Sequence, residues 1–207
     1  MKMILAVVAL LSLSSALRAE TYEIDPQHSS VGFRVKHLVG KVPGRFTKFS
    51  GTVSYEAGKP ESWKTEAKIE AASINTDNEN RDKHLNSPDF FDTAKCPDIT
   101  FKSTKVSDIK GDTAKLAGDL TMHCVTKPVV LDLEIGGATK DPWGNAKAGF
   151  TATGMIHRKD WGIVWNKSLD AGGVLLGEDV AITLEVEAGV KPKDAPKGEK
   201  KTAPVKK

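Results

Sequence analysis

The feature that most constrains this chain is a repeat of two. Along Trp63–Ala71, Trp63, Thr65, Ala67, Ile69 and Ala71 fall on one side, and Lys64, Glu66, Lys68 and Glu70 on the other. Successive side chains of a strand point to opposite faces, so this is a strand with one buried and one wet face. The pattern recurs over Ser29–Leu38 (Val31, Phe33, Val35, His37), Phe46–Tyr55 (Phe49, Gly51, Val53, Tyr55) and Ile99–Val106. It returns in Thr113–His123 (Ala114 to Met122), Lys127–Ile135 (Val129 to Ile135), Lys147–His157 (Ala148 to Ile156) and Val180–Ala188 (Val180 to Val186). A shorter run lies at Thr21–Ile24. Turn residues separate the runs, as in Glu56-Ala57-Gly58-Lys59-Pro60, Gly136-Gly137 and Asp141-Pro142-Trp143-Gly144-Asn145.

Eight such strands with almost no helix predict an all-β fold, a sandwich or a barrel. Eight antiparallel strands can close on themselves and remove their exposed edges. A barrel of that size is filled by side chains or holds one small ligand. Gly51, Ala67, Ala71, Ala114, Gly118, Ala148, Ala152 and Gly154 share the inward face with large apolar neighbours. So many small side chains predict space inside; the alternative is that the glycines mark bends needed for closure.

One stretch, Ser73 to Phe101, breaks the alternation. Thr76 or Asp77 is placed to cap a short helix over Asn78–Asn86. Ser87-Pro88 starts a further turn, and Cys96-Pro97 ends it because a residue before proline is driven toward extended geometry. The stretch carries Arg81, Asp82, His84, Asp89, Asp92 and the pair Phe90-Phe91. It reads either as an insert over the end of the sheet with its rings turned inward, or as a surface loop anchored by them.

The chain opens with Met1-Lys2-Met3, an apolar run Ile4–Leu13 and small residues up to Ala19. That is the pattern of a secretory signal peptide, with cleavage expected after Ala19, or else after Ala16. The apolar run is too short for a membrane span. Residues 1–19 are therefore expected to be a signal, 20–190 the folded domain, and 191–207, rich in Lys, Pro and Ala, a disordered tail. The net charge of +3 misleads, because the first 19 residues carry +2 and the last 17 carry +5, leaving the folded part at about −4. No basic field for nucleic acid exists there. The tail is either a solubilising appendage or a transient contact for an anionic membrane surface. Of the two cysteines, Cys96 and Cys124, the sequence permits a bridge in an oxidising compartment or two buried thiols.

Catalytic signatures are missing. No serine sits in a Gly-x-Ser-x-Gly turn, neither cysteine has a catalytic context, and no His-Glu-x-x-His or Cys-x-x-Cys supports a metal. His28 or His37 could act as acid or base only with distant partners. Arg81 and His84 share a helix face and are candidates to hold a phosphate or carboxylate headgroup, or else to pair with Asp82, Asp89 or Asp92.

Several blocks resemble a known family: Asp25-Pro26-Gln27-His28-Ser29, Val31 to Leu38, Ser73-Ile74-Asn75-Thr76, Asn80 to Leu85, Asp89-Phe90-Phe91-Asp92, Pro97 to Phe101, Gly118 to Met122 and Val125 to Val129. In this order, over Tyr22 to Ala188, they look like the YceI-like, polyisoprenoid-binding family of exported proteins. The resemblance implies an eight-stranded antiparallel, lipocalin-like barrel with a short helical insert near residues 77–92. It also implies a long apolar pocket for an isoprenoid chain or a similar amphiphile, a quinone among the candidates, and no settled enzymatic activity. No cofactor is expected beyond such a ligand, and the signal peptide sets a periplasmic address. The alternatives are a lipid-modifying enzyme using His28 or His37 and a stress or interaction protein with a filled barrel. Strand parity then places Phe33, Val35, Phe49, Trp63, Ile69, Phe101, Leu120 and Phe150 on the pocket wall. Phe90 and Phe91 would close the mouth, Arg81 and His84 would stand near the polar end, and Trp161 would line the entrance. A homodimer is compatible with all of this. The family usually has Gly where Cys124 stands and an aromatic or His where Cys96 stands; that both departures are cysteines favours a bridge.

Overall fold

A computed structural model describes residues 20–170 and 172–190. The expected signal and tail lie outside the described residues. The strands are β1 (Glu20–Ile24), β2 (Ser30–His37), β3 (Gly40–Phe46), β4 (Phe49–Tyr55), β5 (Lys64–Glu70), β6 (Ile74–Asn75), β7 (Asp98–Lys110), β8 (Thr113–Met122), β9 (Val125–Lys140), β10 (Ala146–His157) and β11 (Leu176–Gly189). One helix, α1 (Glu79–Asn86), lies between β6 and β7.

All pairings are antiparallel, and the ring β1-β4-β5-β7-β8-β9-β10-β11 closes through β1–β11. The remaining segments extend this ring. β2 continues β1 along the same edge of β11, β3 pairs with β2 in line with β4, and β6 pairs with β3 in line with β5. The barrel thus has eight staves in chain order, three of them broken. It is the expected eight-stranded antiparallel barrel, with staves longer than the alternation alone marked: residues 40–45 of β3 and Ile74–Asn75 lay outside the expected strands.

The breaks face one another. The first falls at Asp25–Ser29, where Pro26 has no N–H to give and Asp25 takes the Gln27 N–H at 3.0 Å. Opposite it are Thr47 and Lys48, and opposite those the single turn Ala71–Ser73. Ser73 bridges the gap: its carbonyl accepts the Thr47 N–H at 3.1 Å and its hydroxyl the Lys48 N–H at 3.1 Å. The two-residue break puts Phe46 and Phe49 on the same inner side, which strict alternation forbids.

Helix α1 is capped by Asn78, whose side-chain oxygen accepts the Arg81 N–H at 3.0 Å, rather than by the expected Thr76 or Asp77. Asp77 is at φ 58° and faces the Arg45 guanidinium at 3.0 Å; Thr76 is engaged by Arg81. The insert does lie over one end of the barrel. Phe90 is buried, and Phe91 meets Phe46 edge-on at 5.8 Å.

Cys96 and Cys124 are joined, with 5.4 Å between their Cα atoms, so of the two readings the sequence left open the bridge is the one present. It ties the end of the insert to the β8–β9 turn, where His123 and Cys124 both have positive φ (50° and 60°). The bond spans 28 residues of chain, for which loop-closure entropy gives about 3–4 kcal/mol. Replacing both cysteines by serine should lower unfolding stability by about that much, read from urea midpoints, with native mass showing two fewer oxidised thiols in the variant.

Candidate functional site

The inward faces of the staves enclose a cavity of about 230 Å³, well over ten times the ~10–15 Å³ that one water needs. Its wall is almost wholly apolar. Phe33, Val35, Phe49, Trp63, Ile69, Phe101, Leu120 and Phe150 all lie on it, and Phe90 and Phe91 reach it from the insert. Phe46, Tyr55, Met122 and Arg158 also line it and were not singled out from the sequence. Phe46 was hidden by the Thr47-Lys48 break. Arg158 was hidden because a charged residue at a strand end reads as solvated.

The space does not come mainly from small side chains. Of the eight small inward residues, only Ala67 and Ala152 line the cavity. At Gly118 an added Cβ would fall 2.4 Å from the Phe101 ring, and at Gly44 2.2 Å from the Phe33 ring, its cross-strand partner. At Gly154 it would fall 2.7 Å from Leu131. These glycines let large neighbours lie flat across the wall. The hollow remains because flattened rings leave the axis open.

The two ends differ. At the end holding the β4–β5 loop, Tyr55 packs on Trp63 at 4.9 Å and on Phe150 at 5.3 Å, and the Trp63 N–H donates to the Glu56 carbonyl at 2.7 Å. The opposite end is capped by the insert and by the segment between β10 and β11. There Phe90 packs on Trp165 at 5.2 Å, and His84 stands edge-on to both, at 5.0 and 4.9 Å.

The polar groups expected at the mouth are occupied elsewhere. Arg81 donates from Nε to the Thr76 hydroxyl and from Nη2 to the Thr76 carbonyl, both at 2.7 Å, and is not on the cavity wall. His84 is 2.7 Å from Asp89 and braces the cap from outside. Trp161 is 2 % exposed; its N–H donates to the Leu120 carbonyl at 3.1 Å, so it seals the core beneath the cap and does not line the cavity.

The family model described as the YceI-like domain matches residues 22–188. The chain belongs to the YceI family. A UPF0312 protein of Pseudomonas savastanoi pv. phaseolicola is 43 % identical over 158 residues, covering 75 % of this chain and 82 % of the relative. The crystal structure of the Campylobacter jejuni YCEI protein is 37 % identical, with a TM-score of 0.66, covering 75 % of this chain and 90 % of that one. A polyisoprenoid-binding domain from Saccharophagus degradans shares the fold at 14 % identity, with a TM-score of 0.63, covering 82 % and 98 %.

In this YceI domain His28 and His37 are not on the cavity wall. His28 sits on the outer surface, 2.8 Å from Asp25 and 4.0 Å from Glu187. Asp25, His28 and Glu187 are spaced closely enough to ligate an ion, but the Lys147 ammonium stands among them, 2.9 Å from Glu187 and 3.5 Å from Asp25. The hydrogen bond from His28 and that from the Gln27 N–H hold the Asp25 carboxyl below its ordinary range.

His157, at the cap end of β10, lies 3.0 Å from Asp179 and 3.2 Å from Glu178. The Asp179 hydrogen bond raises its pKa above the ordinary histidine value. A raised folded-state pKa means stability that is full below the unfolded value of about 6.5 and is lost as pH rises through the folded value. The melting temperature of wild type minus that of His157→Gln should therefore be larger at about pH 6 than at about pH 8.5; thermal melts at the two pH values check it.

Proposed function

We propose that this protein is an exported, periplasmic carrier that holds an isoprenoid or similar long-chain amphiphile in its barrel. The observation that supports this most is the apolar cavity running between the Tyr55–Trp63 end and the Phe90–Phe91 cap. Such a wall offers no directional polar grip to the middle of a ligand, and it suits a hydrocarbon chain. Each buried methylene contributes about 0.8 kcal/mol, so a five-carbon isoprene unit gives about 4 kcal/mol gross, and several units offset the ordering of a flexible tail. The S. degradans relative is described as polyisoprenoid-binding, and the shared fold supports a lipid here. A role in binding rather than catalysis is favoured by the family and by the placing of both candidate histidines off the cavity wall.

Ala152 lines the cavity from β10 and is buried. Replacing it by phenylalanine puts a ring into the lumen at about 1–3 kcal/mol of overpacking. The variant should fold, with a modest fall in melting temperature, and should lose the amphiphile that co-purifies with wild type in native mass spectrometry. Wild type that carries no amphiphile and takes up none would overturn the carrier reading.

The Lys-rich segment 191–207 is the proposed site of transient contact with an anionic membrane surface. Deleting it should weaken association with anionic vesicles in a sedimentation assay and leave ligand uptake unchanged.

A further inference from the structure

Arg158 opens the short helical turn Arg158–Trp161 that follows β10. It is 4 % exposed and belongs to the wall of an otherwise apolar cavity. Two of its three nitrogens are fixed: Nε donates to the Gly177 carbonyl at 2.9 Å and Nη1 to the Ile163 carbonyl at 2.7 Å. The third, Nη2, is buried and has no acceptor among the described residues. No carboxylate among the described residues lies within salt-bridge distance of the guanidinium. The acid whose field reaches it, Glu178, is already taken by Lys159 and by His157 at 3.2 Å. Burial lowers the Arg158 pKa, the sign of a cation that has lost water without gaining a counter-charge.

A buried charge is ordinarily paired, and a buried charged donor left unmade is costly. The backbone tie between β11 and the loop uses Nε and Nη1 and leaves Nη2 with no structural partner. The other candidates for gripping a headgroup are engaged: Arg81 by Thr76 and His84 by Asp89.

We propose that Arg158 is the headgroup site of the cavity, and that the ligand is a long-chain amphiphile with an anionic oxygen head, a carboxylate or a phosphate, that accepts from Nη2. The proposal rests on the carrier reading and adds the ligand's polar chemistry and its orientation. The head lies beneath the cap and the tail runs toward Tyr55 and Trp63. From Arg158 back to Phe150 the strand covers about 26 Å at ~3.3 Å per residue, room for an extended tail of several isoprene units or a comparable acyl chain. Because its two backbone bonds already hold the guanidinium, binding orders no further side chain there.

Calorimetry on delipidated protein separates the cases, using palmitate, geranylgeranyl monophosphate and neutral geranylgeraniol as probes. At least one anion should bind about tenfold or more tightly than the alcohol, and whichever does so names the head as carboxylate or phosphate. Arg158→Gln should erase that preference, so that on the variant the anions bind no more tightly than the alcohol does. If the variant fails to fold, the wild-type ranking still decides, together with nitrogen-15 arginine spectra in which the Arg158 side-chain N–H signals shift with the anion and not with the alcohol. Equal affinity for all three, or a preference that survives Arg158→Gln, overturns the headgroup site and leaves the carrier intact. No binding of any probe overturns both.

Discussion

Closure of the sheet is the constraint from which the rest of this structure follows. β11 pairs with β10 on one side and with β1 and β2 on the other, so every stave has two neighbours. Ladder hydrogen bonds then run round the ring, with β3 and β6 left as an edge beside the cap, and the alternating side chains have only two places to go, lumen or water. An apolar interior is the automatic result. A hollow one is not: it depends on how the large inward residues lie. Phe33 over Gly44 and Phe101 over Gly118 show the solution, each ring lying against a strand that has no side chain at that point.

The capped end is built differently from the open staves. Its stability comes from an insert pinned at three places. Asp77 holds the Arg45 guanidinium of β3, Phe91 packs on Phe46, and Cys96 is bonded to Cys124. The disulfide sits where the β8–β9 turn requires two left-handed residues, a conformation that glycine takes without strain and that cysteine does not. This chain accepts the backbone strain of Cys124 and gains a covalent strut to its cap.

Much of the barrel was legible in the sequence because a period of two is a direct image of backbone geometry. Trp63–Ala71 alternates in the structure as it does on paper, half-buried against exposed along β5. Wall residues read from parity, such as Phe33, Phe101 and Phe150, stand on the wall. What parity could not show lies at its interruptions. Phe46 and Phe49 face the same way because two residues between them leave the ladder. The meaning of Gly118 depended on a ring fifteen or more residues away in the chain, which no local pattern reports. Arg81 and His84 were placed near the ligand by residue type and helix spacing, and Trp161 by the family resemblance. Type cannot say whether Thr76, Asp89 or the Leu120 carbonyl has already claimed the polar atoms. Arg158 is the converse case: its charge argued for solvent, while the carbonyls of Gly177 and Ile163 hold it inside.

The three aligned breaks at Asp25–Ser29, Thr47–Lys48 and Ala71–Ser73 divide one side of the wall into two panels. Along that crease the regular ladder is replaced by a few bonds, the Ser73 contacts prominent among them. A folded sheet of card bends at its score line before it bends anywhere else, and the same holds for a hydrogen-bonded wall. Fewer ladder bonds cross this crease than cross the staves on either side, so it is the least costly line along which the wall beside the cap can flex.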